Sequence, residues 1–244
     1  MRFFTLLFFG LSVLPAAAAI ASTPAAAVIL VASPAINSQI AAFPRIADPT
    51  PAERRINRGL AQADASIRGS CDGWQRTVQV VMRGAGYLSV VASDNWYCDG
   101  DASPGSDSFG LAYDLHTGLP LNWARLLPKA LVQSTILDYS GDGLPLGVVF
   151  SPALTALYMK LAQPNIDPSC VPELQQSPFP FMLWPDAKAD GVVLNPDGLA
   201  HAIAACGPQE TIPLATLRQI GVSPTLLDAI AAAHQAGEFD TPKD

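Results

Sequence analysis

Four cysteines place the strongest constraint on how this chain of 244 residues can fold: Cys71, Cys98, Cys170 and Cys206. No two of them form a Cys-x-x-Cys motif, and none lies within four residues of a histidine. These spacings argue against a zinc site and against thioredoxin-like redox chemistry. An even number of cysteines favours disulfide bonds if the chain is exported to an oxidising compartment.

The N-terminus has the organisation of a secretory signal peptide. Residues 1–2 supply a positive charge, residues 3–14 are mostly apolar, and residues 16–19 are alanines suited to cleavage. We predict a signal peptide over residues 1–19 and a periplasmic or secreted mature protein. The alternative is an uncleaved membrane anchor, although glycine, proline and hydroxyl residues interrupt the apolar run. No later run reaches the roughly 20 apolar residues that a membrane span requires.

A predicted hairpin suggests how the cysteines pair. Two β-rich runs flank Gly84-Ala85, and a glycine at the first position of a two-residue loop is typical of a type II′ turn. In that register Met82 faces Tyr87, and the two cysteines nearest the open end of the hairpin fall opposite each other. We therefore predict the disulfide bonds Cys71–Cys98 and Cys170–Cys206.

Helix and strand signals occur in blocks along the chain rather than in strict alternation. This pattern predicts an α+β fold, with a largely antiparallel sheet, helices packed on one face and disulfide staples. Thr50-Pro51 followed by Glu53 predicts a helix start, because it combines an N-cap, a proline at the first position and a capping-box glutamate. Further helix starts are predicted at Ser151-Pro152 and Ser223-Pro224. Strands are predicted at residues 108–115, 181–184, 191–194, 199–205 and 210–212.

The same patterns divide the chain into segments. Residues 20–35 are rich in alanine and proline and form a linker or a first edge element. Residues 36–118 and 119–236 form two α+β halves, which we expect to pack as one continuous unit. Residues 237–244 are predicted to be a frayed tail.

Composition and motifs exclude several classes of function. Fourteen basic and 21 acidic residues give a net charge of −7, which argues against a nucleic-acid binder. No nucleotide-binding loop, nucleophile elbow or zinc-protease motif is present. The histidines His116, His201 and His234 are far apart and lack metal-ligand spacing. We therefore predict no cofactor, no metal and no catalytic residue. A Ser-His-Asp triad assembled from distant residues stays open as an alternative, although it has no local signature in this sequence.

One segment partly matches a calcium-binding loop. Asp138, Ser140, Asp142 and Gly143 have the spacing of its first ligands and its glycine. Val149 stands where the bidentate carboxylate is required, so this match fails at an essential ligand. A tight, solvated turn explains the same residues.

A loop rich in glycine and serine gives the candidate binding site: Trp96, Tyr97, Asp99, Asp101 and Asp107. An aromatic platform beside carboxylates can bind a sugar ring or a cationic protein, and paired carboxylates can also act as general acid and base. The simplest alternative is a flexible acidic loop that follows a strand, with the tryptophan in the core.

Four motifs in order carry a family resemblance: Phe43-Pro44-Arg45-Ile46 with Arg55-Ile56-Asn57, Trp96-Tyr97, Ala112-Tyr113-Asp114-Leu115 with Thr117-Gly118, and Asp197-Gly198-Leu199 with Ala205-Cys206-Gly207-Pro208. Over about residues 36–220 they resemble an exported domain of unknown function. That domain begins the extracellular part of the anti-sigma factor RsiV, and it resembles the N-terminal module of the peptidoglycan deacetylase PdaC. The catalytic domain of the deacetylase has no counterpart here, so the resemblance implies a fold and a cell-envelope setting, not catalysis.

These observations lead to one main hypothesis and two alternatives. The main hypothesis is an exported, non-enzymatic envelope module that binds a protein or a cell-wall ligand such as peptidoglycan. The resemblance implies a cationic, wall-acting partner, since RsiV-like domains recognise lysozyme. The first alternative is an enzyme that acts on cell-wall glycan through Asp99, Asp101 or Asp107. The second is an envelope protein that binds a metal or a lipid.

Overall fold

The structure is a computed structural model that describes residues 27–67, 73–100, 104–139, 145–175, 178–199 and 201–242. Several predictions lie outside these ranges: the signal peptide over residues 1–19, Cys71 and hence the Cys71–Cys98 bond, Asp101, and the calcium-loop residues Ser140, Asp142 and Gly143.

The described chain begins with a small sheet and a long helix. Strand β1 (Leu30–Val31) pairs antiparallel with β2 (Arg45–Ile46), so this part of residues 20–35 forms an edge element. Helix α1 (Pro51–Ser66) starts as predicted. The Thr50 side chain accepts a hydrogen bond from the Glu53 backbone, and the Glu53 carboxylate accepts one from the Thr50 backbone. This capping box satisfies two backbone donors that the first helical turn leaves unpaired.

A four-stranded antiparallel sheet follows α1, with strand order β3-β4-β5-β6. We call it the first sheet, and its strands are β3 (Gln75–Met82), β4 (Tyr87–Trp96), β5 (Gly105–Asp114) and β6 (Leu119–Pro120).

The predicted register of the β3–β4 hairpin is wrong. Val80 lies opposite Val90, a bulge follows, and Met82 then faces Ser89 rather than Tyr87. The tight turn is centred on Ala85 and Gly86 rather than on Gly84 and Ala85: the Tyr87 N–H donates to the Gly84 carbonyl oxygen at 3.1 Å, and Ala85 and Gly86 take positive φ angles of 53° and 95°.

The second sheet is built from the rest of the chain, with antiparallel order β11-β10-β9-β8-β7. Its strands are β7 (Ser134–Tyr139), β8 (Pro145–Phe150), β9 (Pro180–Asp186), β10 (Gly191–Pro196) and β11 (Glu210–Pro213). The helices between and after them are α2 (Trp123–Leu126), α3 (Pro152–Ala162), α4 (Val171–Gln175), α5 (Leu214–Ile220) and α6 (Pro224–Ala236). Short 3-10 helices cover Lys129–Leu131 and His201–Cys206.

The strand predicted at residues 199–205, including the placement of His201 in a strand, is wrong. Because β10 already pairs with β9 on one side and β11 on the other, no edge of β10 remains for this segment. The segment forms the 3-10 helix His201–Cys206 instead. A disulfide bond between Cys170 and Cys206, with the two Cα atoms 5.4 Å apart, ties it to the start of α4. That bond was predicted and is confirmed.

The two larger sheets pack face to face, and each carries helices on its other face. Leu88, Val90 and Leu111 of the first sheet pack against Ile56 and Leu60 of α1. Phe181 and Leu183 of the second sheet pack against α3, α5 and α6. The α+β, antiparallel prediction is confirmed.

Small residues of the first sheet allow the two sheets to approach closely. A Cβ atom at Gly110 of β5 would overlap the indole of Trp184 on β9, and the tryptophan is almost fully buried. Ser89 lies opposite Ala112 in the same sheet, and its side chain is buried as well. The inner face of the first sheet thus accommodates large side chains from the second.

The segment after α6 is ordered against the first sheet rather than frayed as predicted. Arg83 donates its backbone N–H to the Glu238 carbonyl at 2.9 Å, and the backbone N–H of Val80 donates to the Thr241 hydroxyl at 2.8 Å. These bonds satisfy donors on the outer edge of β3. In the described part of the chain, no helix is both long and apolar enough to span a membrane.

Candidate functional site

A groove of about 470 Å³ opens where β4 ends, β5 begins and β10 turns away from its sheet. The N-terminal half contributes Trp96, Asp107 and Ser108 to its walls. The C-terminal half contributes Asn195, Asp197 and Gln209, together with residues beside the 3-10 helix His201–Cys206. The groove therefore exists only because the two sheets pack together.

Acidic side chains dominate the charge of the groove. Asp94, Asp107 and Asp197 line it, and no lysine or arginine does so among the described residues. The pKa of Asp107 is raised, first because neighbouring protein displaces water from its carboxyl group. The negative charges of Asp197 and Asp94 raise it further, whereas a hydrogen bond from the Ser108 backbone partly offsets the rise. Positive charge brought into the groove would relieve this repulsion.

A buried ion pair holds Asp94 in place behind the groove. Arg76 donates from Nε and Nη2 to the two carboxylate oxygens of Asp94, at 2.7 and 2.6 Å, and both residues are buried. The guanidinium also lies 5.6 Å from the ring centre of Phe43 and 5.3 Å from that of Phe109. The ion pair thereby fixes the Asp94 carboxylate behind the groove, whose other two carboxylates are those of Asp107 and Asp197.

Asn195 connects the two sheets at the floor of the groove. Its side-chain Nδ2 donates to the Ser108 carbonyl oxygen at 2.7 Å, and the residue is only 7% exposed. Because Asn195 belongs to β10 and Ser108 to β5, this bond sets how far apart the two acidic walls stand.

The tryptophan at the end of β4 belongs both to the groove and to a packed stack. Trp96 lies on Trp74 with ring centres 4.9 Å apart and planes 14° apart, and Trp96 is half-buried. Gly105 faces Trp96 in the β4–β5 register, where any Cβ atom would overlap the indole. The stack thus holds Trp96 rigidly at the groove wall.

The structure brings together only part of the predicted site. Trp96 and Asp107 line the groove, whereas Tyr97, 56% exposed, and the exposed Asp99 do not. Sequence reasoning missed Asp197 and Asn195 as site residues, because Asp197-Gly198-Leu199 was considered only as part of a family-like motif. The available signal was an Asn-Pro-Asp-Gly sequence at the end of a strand, which says nothing about the partner strand about 90 residues earlier.

No metal site is formed by the residues that the structure describes: no three histidine, cysteine, aspartate or glutamate side chains converge on one point. His116 lies exposed in the turn after β5. His234 on α6 has Nδ1 2.7 Å from the Ala187 carbonyl oxygen and packs near Phe239, which is a structural role.

Comparison with known proteins gives weak likenesses. No protein-family model matches the chain, and no curated protein matches it. Among solved structures, a DUF3298 family protein from Pseudomonas aeruginosa PAO1 is 19% identical with a TM-score of 0.40, over 68% of this chain and 71% of that one. A DUF3298 family member from Bacteroides fragilis is 14% identical with a TM-score of 0.41, over 73% and 68% of the two chains. These neighbours belong to a domain family of unknown function.

Proposed function

We propose that this protein is an exported, non-enzymatic envelope module that binds a positively charged segment of a partner protein in the acidic groove. The observation that carries the proposal is the charge of the groove: Asp107 and Asp197 face it, and no basic side chain lines it among the described residues. Two carboxylates that repel each other in the unliganded protein gain energy when a cation sits between them.

The positions of the remaining groups support a binding role. Asn195 and Trp96 are held rigidly, by a hydrogen bond across the sheets and by the tryptophan stack. A rigid site loses little conformational entropy on binding. The motif resemblance to RsiV-like domains makes a lysozyme-like protein the first partner to test, and the signal-like N-terminus is consistent with a meeting outside the cytoplasm.

The test is a pull-down of the oxidised protein with lysozyme and with insoluble peptidoglycan at low and moderate salt. We expect salt-sensitive capture by lysozyme that is lost when Asp107 and Asp197 are both changed to Asn. The matched control is Asp228→Asn with Asp240→Asn, which removes the same charge from exposed residues outside the groove. Equal loss in both variants would contradict a role for the groove, and capture by peptidoglycan alone would favour a glycan ligand stacked on Trp96.

A second candidate function, cleavage of cell-wall glycan, rests on the carboxylates of Asp107 and Asp197, which line one groove beside Trp96. Glycoside hydrolases use a pair of carboxyl groups as acid and as nucleophile or base. This version predicts release of soluble sugars from peptidoglycan that Asp107→Asn abolishes. Undiminished release by that variant would reject it.

A further inference from the structure

The N-terminal half of α1 carries three arginines on its exposed side. Arg54, Arg55 and Arg58 are all exposed, while Ile56 and Leu60 between and beyond them are buried. Arg54 and Arg58 are one turn apart, and Arg55 lies three residues before Arg58. The three guanidinium groups therefore share one patch of the surface.

This arrangement is unfavourable for the helix itself. Like charges at a spacing of four residues repel, and cations near the N-terminus oppose the helix dipole. In the described chain, ion pairs form at Arg45 and Arg76 and not at these three arginines, although Arg54 Nη1 donates to the Pro49 carbonyl oxygen at 2.8 Å. The nearest carboxylate along the helix, Glu53, is held by the Thr50 backbone N–H at 2.7 Å. No ion pair in the described chain therefore offsets the three positive charges, and such departures from local rules are typical of functional surfaces.

Exposed apolar side chains adjoin the same end of α1. Ile29 is 70% exposed, and Leu119 is 52% exposed. Val28, next to Ile29, lines a shallow cavity with Arg55, and Gly118, next to Leu119, contacts the backbone of Ala52 in the first turn of α1. Basic residues beside exposed apolar ones are the composition of surfaces that lie on a membrane interface.

We propose that this surface binds the phosphate groups of an anionic phospholipid membrane. We call it the α1 surface and define it as Arg54, Arg55, Arg58, Ile29 and Leu119. The arginines meet the lipid phosphates, to which their guanidinium groups can donate paired hydrogen bonds. The apolar side chains enter the boundary between headgroups and acyl chains. The apolar side chains favour a bilayer over a soluble polyanion, because a polyanion offers negative charge but no apolar region.

The α1 surface shares no residue with the acidic groove, so the proposal does not depend on the function proposed above.

The test is co-sedimentation of the full chain with vesicles of phosphatidylglycerol and phosphatidylcholine, compared with phosphatidylcholine alone. The neutral vesicles measure any binding through the apolar run at residues 3–14. Because this run is the same in every variant, it does not affect the comparison between variants. Changing Arg54, Arg55 and Arg58 together to Gln should weaken binding to the anionic vesicles about a hundredfold, since each basic residue near the surface contributes about tenfold or less. Glutamine keeps a good helix propensity, and circular dichroism checks that α1 remains folded.

The matched control changes Arg125, Lys160 and Arg218 to Gln, which removes three exposed charges from other elements. We expect this variant to bind within about threefold of the unmodified chain, because its charges lie off the α1 surface. An equal loss in both triple variants, or no loss in the α1 variant, would overturn the proposal. Complete displacement from vesicles by soluble polyphosphate at the same phosphate concentration would also overturn it, because a soluble polyanion would then suffice.

Discussion

Arg76 of β3 and Asp94 of β4 form a doubly hydrogen-bonded ion pair that is almost fully buried beneath the acidic groove. It links the core to the site, because Asp94 also lines the groove and adds to the negative potential at Asp107.

Breaking this pair should destabilise the fold strongly. In Asp94→Ala the guanidinium of Arg76 stays buried without its counter-charge, which costs about 3–5 kcal/mol of unfolding free energy. Urea denaturation of the variant and of Asp228→Ala, an exposed control on α6, measures the difference. A loss below about 1 kcal/mol would show that the pair is solvated in solution.

Removing the charge of Asp107 should stabilise the protein at neutral pH. The pKa of the Asp107 carboxyl group is higher in the folded protein than in the unfolded chain, so protonation of this group favours folding. This contribution to the free energy of unfolding is complete below the ordinary carboxyl pKa, and it is lost as the pH rises through the raised pKa. Asp107→Asn should therefore melt at a higher temperature than the unmodified chain at pH 7, and at the same temperature near pH 3. A lower melting temperature at pH 7 would contradict the assigned direction of the shift.

The close approach of the two sheets should make Gly110 intolerant of any side chain. In Gly110→Ala the added methyl group meets the Trp184 indole, and overpacking of this kind costs about 1–3 kcal/mol. Ser106→Ala, on the same strand but exposed, should change the unfolding free energy by less than about 0.5 kcal/mol. Equal stability of the two variants would mean that the sheets move apart easily.

The Cys170–Cys206 bond should stabilise both the fold and the groove. It closes a loop with a sequence separation of 36 residues, which corresponds to about 4 kcal/mol in the chain-entropy description. Changing both cysteines to Ser should lower the denaturation midpoint and weaken ligand binding, since residues beside the tethered 3-10 helix line the groove. Unchanged binding at temperatures where the variant is folded would show that this wall is not needed.

Local signals predicted some elements well because their causes are local. Thr50, Pro51 and Glu53 specify the start of α1 within a single turn, and Ser151 caps α3 by accepting a hydrogen bond from the Leu154 N–H. Helix α6 also begins at a proline after a serine, although the Ser223 side chain makes no capping bond. The hairpin register was mispredicted because the tight turn is centred on Ala85 and Gly86, one residue later than expected, and a bulge separates Val80 from Met82.

The groove could not be predicted because residues that are distant in sequence form it. Trp96 and Asp107 were identified from their neighbours in sequence, but Asp197 and Asn195 reach them only through packing of one sheet on the other. No periodicity or turn signal encodes which faces of two sheets meet. Gly110 and Trp184 set that contact, but nothing in the sequence distinguishes them from any other strand glycine and core aromatic residue.

The most direct measurement of the central claim is isothermal titration calorimetry of lysozyme into the oxidised protein and two double variants. The claim is that Asp107 and Asp197 together bind a cationic partner. It predicts that Asp107→Asn with Asp197→Asn weakens binding at least tenfold, because both groove carboxylates lose their charge. Asp228→Asn with Asp240→Asn should bind as the unmodified chain does. Equal affinity of all three proteins would contradict the claim.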